Sequence, residues 1–358
     1  MESSTASGAE ENTITKGYND TPSFDDYLEY QIGIALWKYM SPVVIVVGVI
    51  GNILSFLVTR FTRMKRYNFS IYLSALAIFD IGVLVVGLVQ QWIFYTFDYD
   101  IVSVHEWGCK LFESIYIFTS LSAWMLVCVT IDRVIIVYLP LKAKSICTKN
   151  KTIIVICLVT LFTVGLNLHW IFSVGERLYM GELYTCANKE AFEDFIITYW
   201  PWIDAAFASF IPFTILVICN ILIVVKLLKA GIRRNKQMNA SNSNMNDAVK
   251  SMTIMLVVIS LLFICFTAPI VVDIAIFNLN YDQQLTTTLA EDAHDELRWA
   301  IVNMLVYLNS AMNFFMYCLS GKKFRESLKD LFCRRKSAMR KSTYTSRTGI
   351  SQIKTDSK

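Results

Sequence analysis

Seven stretches of this chain are nearly free of charge, and each is long enough to cross a bilayer. They run over residues 39–59, 67–97, 111–131, 152–175, 195–225, 251–279 and 299–320. A helix needs about 20 mostly apolar residues to span the hydrocarbon core, whereas a barrel strand needs only about 9–11 that alternate apolar with polar. These windows are too long for strands and do not alternate. Open strands would also leave backbone groups unpaired in lipid. The chain is 55% hydrophobic and 17% charged, too little charge to cover a soluble domain of this size. The expected fold is therefore an all-α membrane protein, a seven-helix transmembrane bundle. No lysine or arginine lies inside the windows, and four acids do: Asp80, Glu113, Asp204 and Asp273.

Lysine and arginine in the connecting segments set the orientation. The first connection carries Arg60, Arg63, Lys65 and Arg66, the third Lys142, Lys144, Lys149 and Lys151, and the fifth Lys226, Lys229, Arg233, Arg234, Lys236 and Lys250. The opposite side is acidic, with Glu10, Glu11, Asp25, Asp26 and Glu29 ahead of the first span and Glu291, Asp292, Asp295 and Glu296 ahead of the last. The amino terminus is expected outside and the carboxyl terminus in the cytosol of a multi-pass plasma-membrane protein. Residues 1–30 lack a basic start and an apolar core, so the first span is expected to serve as the entry signal. Asn19-Asp20-Thr21 is a glycan acceptor on the outer side, weakened by Pro22.

The chain divides into four regions. Residues 1–34 read as a disordered outer tail, 35–320 as the seven-span domain, 321–335 as an amphipathic helix on the membrane surface, and 336–358 as a disordered basic tail. In the third region Phe324, Leu328, Leu331 and Phe332 recur at helical spacing among Lys322, Lys323, Arg325 and Lys329. Cys333 either takes a palmitoyl chain or stays a free thiol. Residues 235–247 read as a polar, asparagine-rich linker. Of nine cysteines, only Cys109 and Cys186 face the oxidising side. A bridge between them would tether the fourth connection over the bundle.

Gly51-Asn52, Leu76-Ala77-Ile78-Phe79-Asp80, Cys109, Asp132-Arg133-Val134, Pro140, Pro212, Phe263, Pro269 and Asn313-Phe314-Phe315-Met316-Tyr317 occur in that order, each on its expected span. Together they resemble the landmarks of rhodopsin-like (class A) G-protein-coupled receptors across about residues 35–335. The Asn-Phe-Phe-x-Tyr ending, Thr267 and Asn167-Leu168-His169-Trp170 resemble invertebrate neuropeptide receptors of the FMRFamide and myosuppressin group. Val134, Thr267, Phe314 and Asn220 replace residues usual in the wider family, and a tryptophan usual near Thr160 is missing.

The resemblance implies a resting pair between Asp132 and Arg133, with Tyr317 and Asn220 as further parts of the switch toward a heterotrimeric G protein. It implies a polar core in which Asp80 meets Asn52, Ser122, Asn309 and Asn313 around a sodium ion and water; a protonated, hydrogen-bonded aspartate is the alternative. No other cofactor and no nucleic-acid partner is expected.

Glu113, Asp204 and Asp273 fall in the outer half of the bundle. Asp204 lies roughly 12 Å outward of Pro212 at helical rise. Intramembrane carboxylates usually face a bundle interior or a water-filled cavity. With Tyr116, Trp92 and other aromatics nearby in sequence, these acids suit a cationic, amidated peptide whose arginine pairs with carboxylate and stacks on rings. Each acid has a structural alternative, such as pairing with Arg298. Serines and threonines from Ser337 to Thr348 are expected phosphorylation sites for a receptor kinase and arrestin, and membrane lipids surround the spans. Catalysis finds no support in the three histidines or in any glycine-rich loop. A transporter would show internal repeats and broken helices. A lipid or small polar ligand remains the rival within the family.

Overall fold

The computed structural model describes residues 23–179, 182–236, 244–279 and 288–332. Seven helices long and apolar enough to span a membrane dominate it. They are α1 (Leu28–Phe61), α2 (Phe69–Phe97), α3 (Glu106–Tyr138), α4 (Lys149–Ser173), α5 (Glu190–Lys236), α6 (Asn244–Leu279) and α7 (Leu289–Ser320). A further helix, α8, covers 322–332. Each long helix satisfies its own backbone, which is what hydrocarbon demands. Helix α3 is the hub, with 61% of its apolar window buried, while α4 is peripheral at 17%.

Three apolar clusters hold the bundle. One lies toward the Arg133 end, around Leu73, Met125, Val129, Leu216, Leu256 and Phe263. A second joins α1, α2 and α7 through Trp37, Leu84, Met304 and Tyr307. The third packs Trp170, Ile196 and Trp200 against Cys109. Small residues let backbones approach where apolar burial gives no drive within lipid. Gly48 is such a point: a Cβ there would sit 2.8 Å from the Ala311 Cβ and 3.1 Å from its Cα.

Several boundaries differ from the sequence reading. The first long helix begins upstream of residue 35: α1 starts at Leu28, preceded by a turn at Phe24–Asp26. The polar residues that look like a tail are used as helix-end groups: Asp26 Oδ2 accepts from the Ser23 amide at 2.8 Å, and Gln31 donates to the Asp25 carbonyl at 2.7 Å. The expected linker 235–247 is also shorter. One helix reaches Lys236 and the next starts at Asn244. Asn19, Cys333 and residues 336–358 lie outside the described residues.

Between α4 and α5 the chain forms an antiparallel hairpin, β1 (Val174–Tyr179) and β2 (Glu182–Asn188), with Val174 opposite Asn188. Cys186 in β2 is bonded to Cys109 near the start of α3, so the hairpin is fastened across the mouth of the bundle. At the other end α8 turns off α7 at Gly321. Arg325 donates to the Cys318 and Leu319 carbonyls, both at 2.8 Å, closing the free end of α7. Phe324 is fully buried against Tyr317, while Leu328 and Leu331 pack on the core. One face of α8 therefore docks on the bundle.

Candidate functional site

A cavity of about 680 Å³ opens at the disulfide-bearing end. Its apolar wall comes from Tyr116 of α3, Trp170 of α4, and Ile196, Ile197 and Trp200 of α5. Tyr116 stacks on Trp170 with ring centroids 5.4 Å apart, and Trp200 meets the edge of both. The polar wall comes from Asp204, Asp273, Asp292, Asp295 and Glu296, with Arg298 as the one basic residue lining it among the described residues.

The acids differ in what already answers them. Asp273 is 6% exposed, and its Oδ1 lies 2.6 Å from Arg298 Nε, off the direction of the N–H. Arg298 also reaches Asp295 Oδ1 at 3.1 Å. Glu296 accepts from the Tyr95 hydroxyl at 2.5 Å. Asp204 has no hydrogen bond and no ion pair among the described residues. Local structure aims it: it ends a short helical segment, Trp200–Asp204, between wide π turns at Phe195–Tyr199 and Ala205–Phe210. Wide turns of this kind recur at functional sites because they re-aim side chains.

Of the five ligand candidates, the fold brings Tyr116, Asp204 and Asp273 to one cavity. It does not bring Glu113 or Trp92 there. Glu113 is likewise without a partner among the described residues, and it lies within electrostatic range of the Tyr116 hydroxyl. Trp92 packs on Phe97 at 5.7 Å. The wide turn at Val83–Leu88 rotates the rest of α2 by roughly one residue, about 100°, which a plain helical reading of the sequence does not anticipate. Sequence reasoning also passed over the acids at the start of α7 and over Arg298 as a lining residue, because these residues look like loop. The capping box Thr288–Glu291 was the available signal.

Midway along the bundle Asp80 is fully buried. Ser122 donates to its Oδ1 at 2.6 Å and Asn313 to its Oδ2 at 2.7 Å. The Ser310 side chain also lies close to this carboxylate. Asn52 and Asn309, expected as partners, do not bond Asp80. Asn52 donates instead to the Gly48 and Ser310 carbonyls, at 3.0 and 2.9 Å, which ties α1 to α7. Asn309 and Ser310 are neighbours in sequence, and one residue turns a helix by about 100°. The Asp80 oxygens and two serine hydroxyls form a hard-oxygen set of the kind that suits an alkali or alkaline-earth ion.

At the far end Asp132 and Arg133 are both buried, with Arg133 Nη2 3.6 Å from Asp132 Oδ2. The guanidinium lies over the Phe69 ring at 4.1 Å. The Cys147 thiol, in the segment joining α3 and α4, lies within electrostatic range of Asp132, whose Oδ2 is buried without a hydrogen bond among the described residues. Asn220 makes no hydrogen bond with Arg133 among the described residues. It donates to Ser260 Oγ at 2.8 Å and so links α5 to α6. The Tyr317 hydroxyl is buried without a partner among the described residues, its ring against Phe324.

Comparison with known proteins gives one family. The model described as "7 transmembrane receptor (rhodopsin family)" matches residues 51–317, well over half of the chain. The neuromedin-U receptor 2 of Mus musculus is 28% identical over 332 residues, 86% of this chain and 80% of that protein. The FMRFamide receptor of Drosophila melanogaster is 24% identical over 311 residues, 81% of this chain and 52% of that protein. The FMRFamide peptide receptor frpr-18 of Caenorhabditis elegans is 24% identical over 302 residues, 80% and 66% respectively. The chain thus spans about half the length of the fly relative and more of the mouse one.

Proposed function

The chain belongs to the rhodopsin (class A) family of seven-transmembrane receptors, and from that premise we propose that it receives an extracellular, cationic, amidated neuropeptide and signals to a heterotrimeric G protein. It is a multi-pass membrane receptor and not an enzyme. The observation that carries the ligand class is the cavity itself: among the described residues it has five carboxylates and one guanidinium on one wall, rings on the other, and Asp204 left unanswered. Arginine satisfies both walls at once, by ion pairing and by stacking. Relatives named as receptors for FMRFamide and neuromedin U support a peptide.

In this reading the disulfide-bearing end faces outward, as the lysine and arginine distribution asks. The ligand enters beneath the β1–β2 hairpin and its cation settles on Asp204. The conformation with Arg133 held against Asp132 is the resting one. A ligand shifts it only by binding the signalling conformation more tightly. Parting of α5 and α6 near Asn220 and Ser260 would free the Arg133 fork for the G protein. Sodium at Asp80, Ser122 and Ser310 would favour the resting form. A glycan on Asn19, an acyl chain on Cys333 and phosphorylation of the tail for arrestin complete the proposal.

The test is a screen of short amidated peptides, with and without arginine, read by nucleotide exchange on G proteins with purified receptor. Arginine-bearing peptides are expected to stimulate exchange. A neutral lipid agonist that acts equally on a receptor with Asp204 neutralised would refute the ligand class.

A further inference from the structure

A second cavity, of about 400 Å³, lies between the connection of α1 to α2 and helix α8, at the same end as Arg133. Four cations line it, Arg63, Arg66, Lys323 and Lys329, with two acids, Glu326 and Asp330. Both acids are already engaged. Arg63 Nε lies 3.0 Å from Asp330 Oδ2, and Lys323 Nζ lies 3.2 Å from Glu326 Oε2. Arg66 and Lys329 have no carboxylate partner among the described residues, so two cations face this cavity without a counter-charge. Its base includes buried Met64 and Ser327. Phe61 and Phe332, just outside it in sequence, expose large apolar rings.

We propose that this cavity binds the headgroup of a polyphosphorylated inositol lipid from the adjoining leaflet. An arginine fork grips a phosphate through two parallel hydrogen bonds, and lysine adds a point charge. Basic pockets at the cytoplasmic ends of membrane helices suit such headgroups. Two unanswered cations lining one cavity match a phosphomonoester, which carries up to two charges, better than a single diester with its one. The bound headgroup would clamp α8 to the first connection, beside the Phe324 and Tyr317 contact that fixes the end of α7.

The proposal rests on a cytosolic placement of the Arg133 end, since these lipids are cytosolic-leaflet components, but the site can be tested apart from it. A nanodisc presents the same lipid on both faces. The full chain is reconstituted in phosphatidylcholine discs containing either phosphatidylinositol bisphosphate or phosphatidylserine at matched total charge. Retained lipid is then counted by native mass spectrometry. Selective retention of the bisphosphate is expected. Arg66→Gln with Lys329→Gln should weaken it about twenty-five-fold, each cation contributing a factor of about five. Lys142→Gln with Lys144→Gln, exposed at the same end and outside the cavity, should leave retention unchanged. Equal retention of phosphatidylserine, equal losses in the two double variants, or wild-type retention in the Arg66 and Lys329 variant would each overturn the site. A wrong orientation would show separately, as antibody access to this connection on intact cells while disc binding persists.

Discussion

Replacing Asp204 and Asp273 in turn by asparagine should separate a carboxylate that awaits a cation from one already engaged in the fold. Asp204 has no partner among the described residues, so Asp204→Asn keeps the volume and breaks no bond. Thermal stability should hold or rise, because a poorly solvated unpaired carboxylate is costly. In the bound state the same change removes a charge-assisted hydrogen bond worth about 1.5–3 kcal/mol. At about 1.4 kcal/mol per tenfold, potency should fall about 10- to 150-fold. Asp273→Asn should behave in the opposite sense. It leaves Arg298 with only Asp295, 3.1 Å away. Breaking a fully buried pair costs about 3–5 kcal/mol, but the Arg298 side chain is 34% exposed and keeps one partner. Solvent screening brings the expected loss down to about 1–2 kcal/mol. The double change Asp273→Asn with Arg298→Gln removes both charges and should recover most of that loss. Thermal unfolding of purified receptor and concentration–response curves for nucleotide exchange report the two effects independently. Unchanged potency in a folded Asp204→Asn receptor would refute the anchor. A double variant as unstable as Asp273→Asn alone would refute the ion pair as a source of stability.

The geometry sets three further outcomes. Cys109→Ser or Cys186→Ser opens a loop with a sequence separation of 77 and should cost about 2–4 kcal/mol; thermal unfolding of either variant should match that of reduced wild-type protein. Gly48→Ala forces a methyl against Ala311 at 2.8 Å and should destabilise the α1–α7 contact by about 1–3 kcal/mol, seen as a lower unfolding temperature in detergent. Asp80→Asn should abolish stabilisation of the receptor by sodium chloride relative to choline chloride, and no difference between the two salts in wild type would rule out sodium at this site.

The sequence reports depth along a helix well and direction around it poorly. Each apolar window fixes where a residue lies along the bilayer normal, since every residue adds about 1.5 Å. That is why Glu113, Asp204 and Asp273 could be assigned to one half of the bundle and Asp80 to its middle. The span ends were less legible because acids there act as helix-terminal groups that read as loop. Thr288 and Glu291 cap each other, and acids in a first turn suit the positive end of the helix dipole. The β1–β2 hairpin gave no apolar signal because its strands are short and polar, and a disulfide holds them in place.

Azimuth is harder because it accumulates error. The wide turns at Leu36–Met40, Val83–Leu88, Phe195–Tyr199 and Ala205–Phe210 each shift the facing of the residues beyond them by up to about 100°. Trp92 lies beyond one such turn and misses the cavity. Tyr116 and Asp273 lie on stretches without one and reach it. Asp204 has one turn on either side, so its facing could only be read from the folded chain. Whether a buried acid is a ligand anchor or a structural partner depends further on which helix answers it. Asp273 is answered by Arg298, a residue just outside the charge-free window of the last span. Asp204 is answered by nothing among the described residues, and that contrast exists only once α5, α6 and α7 are packed together.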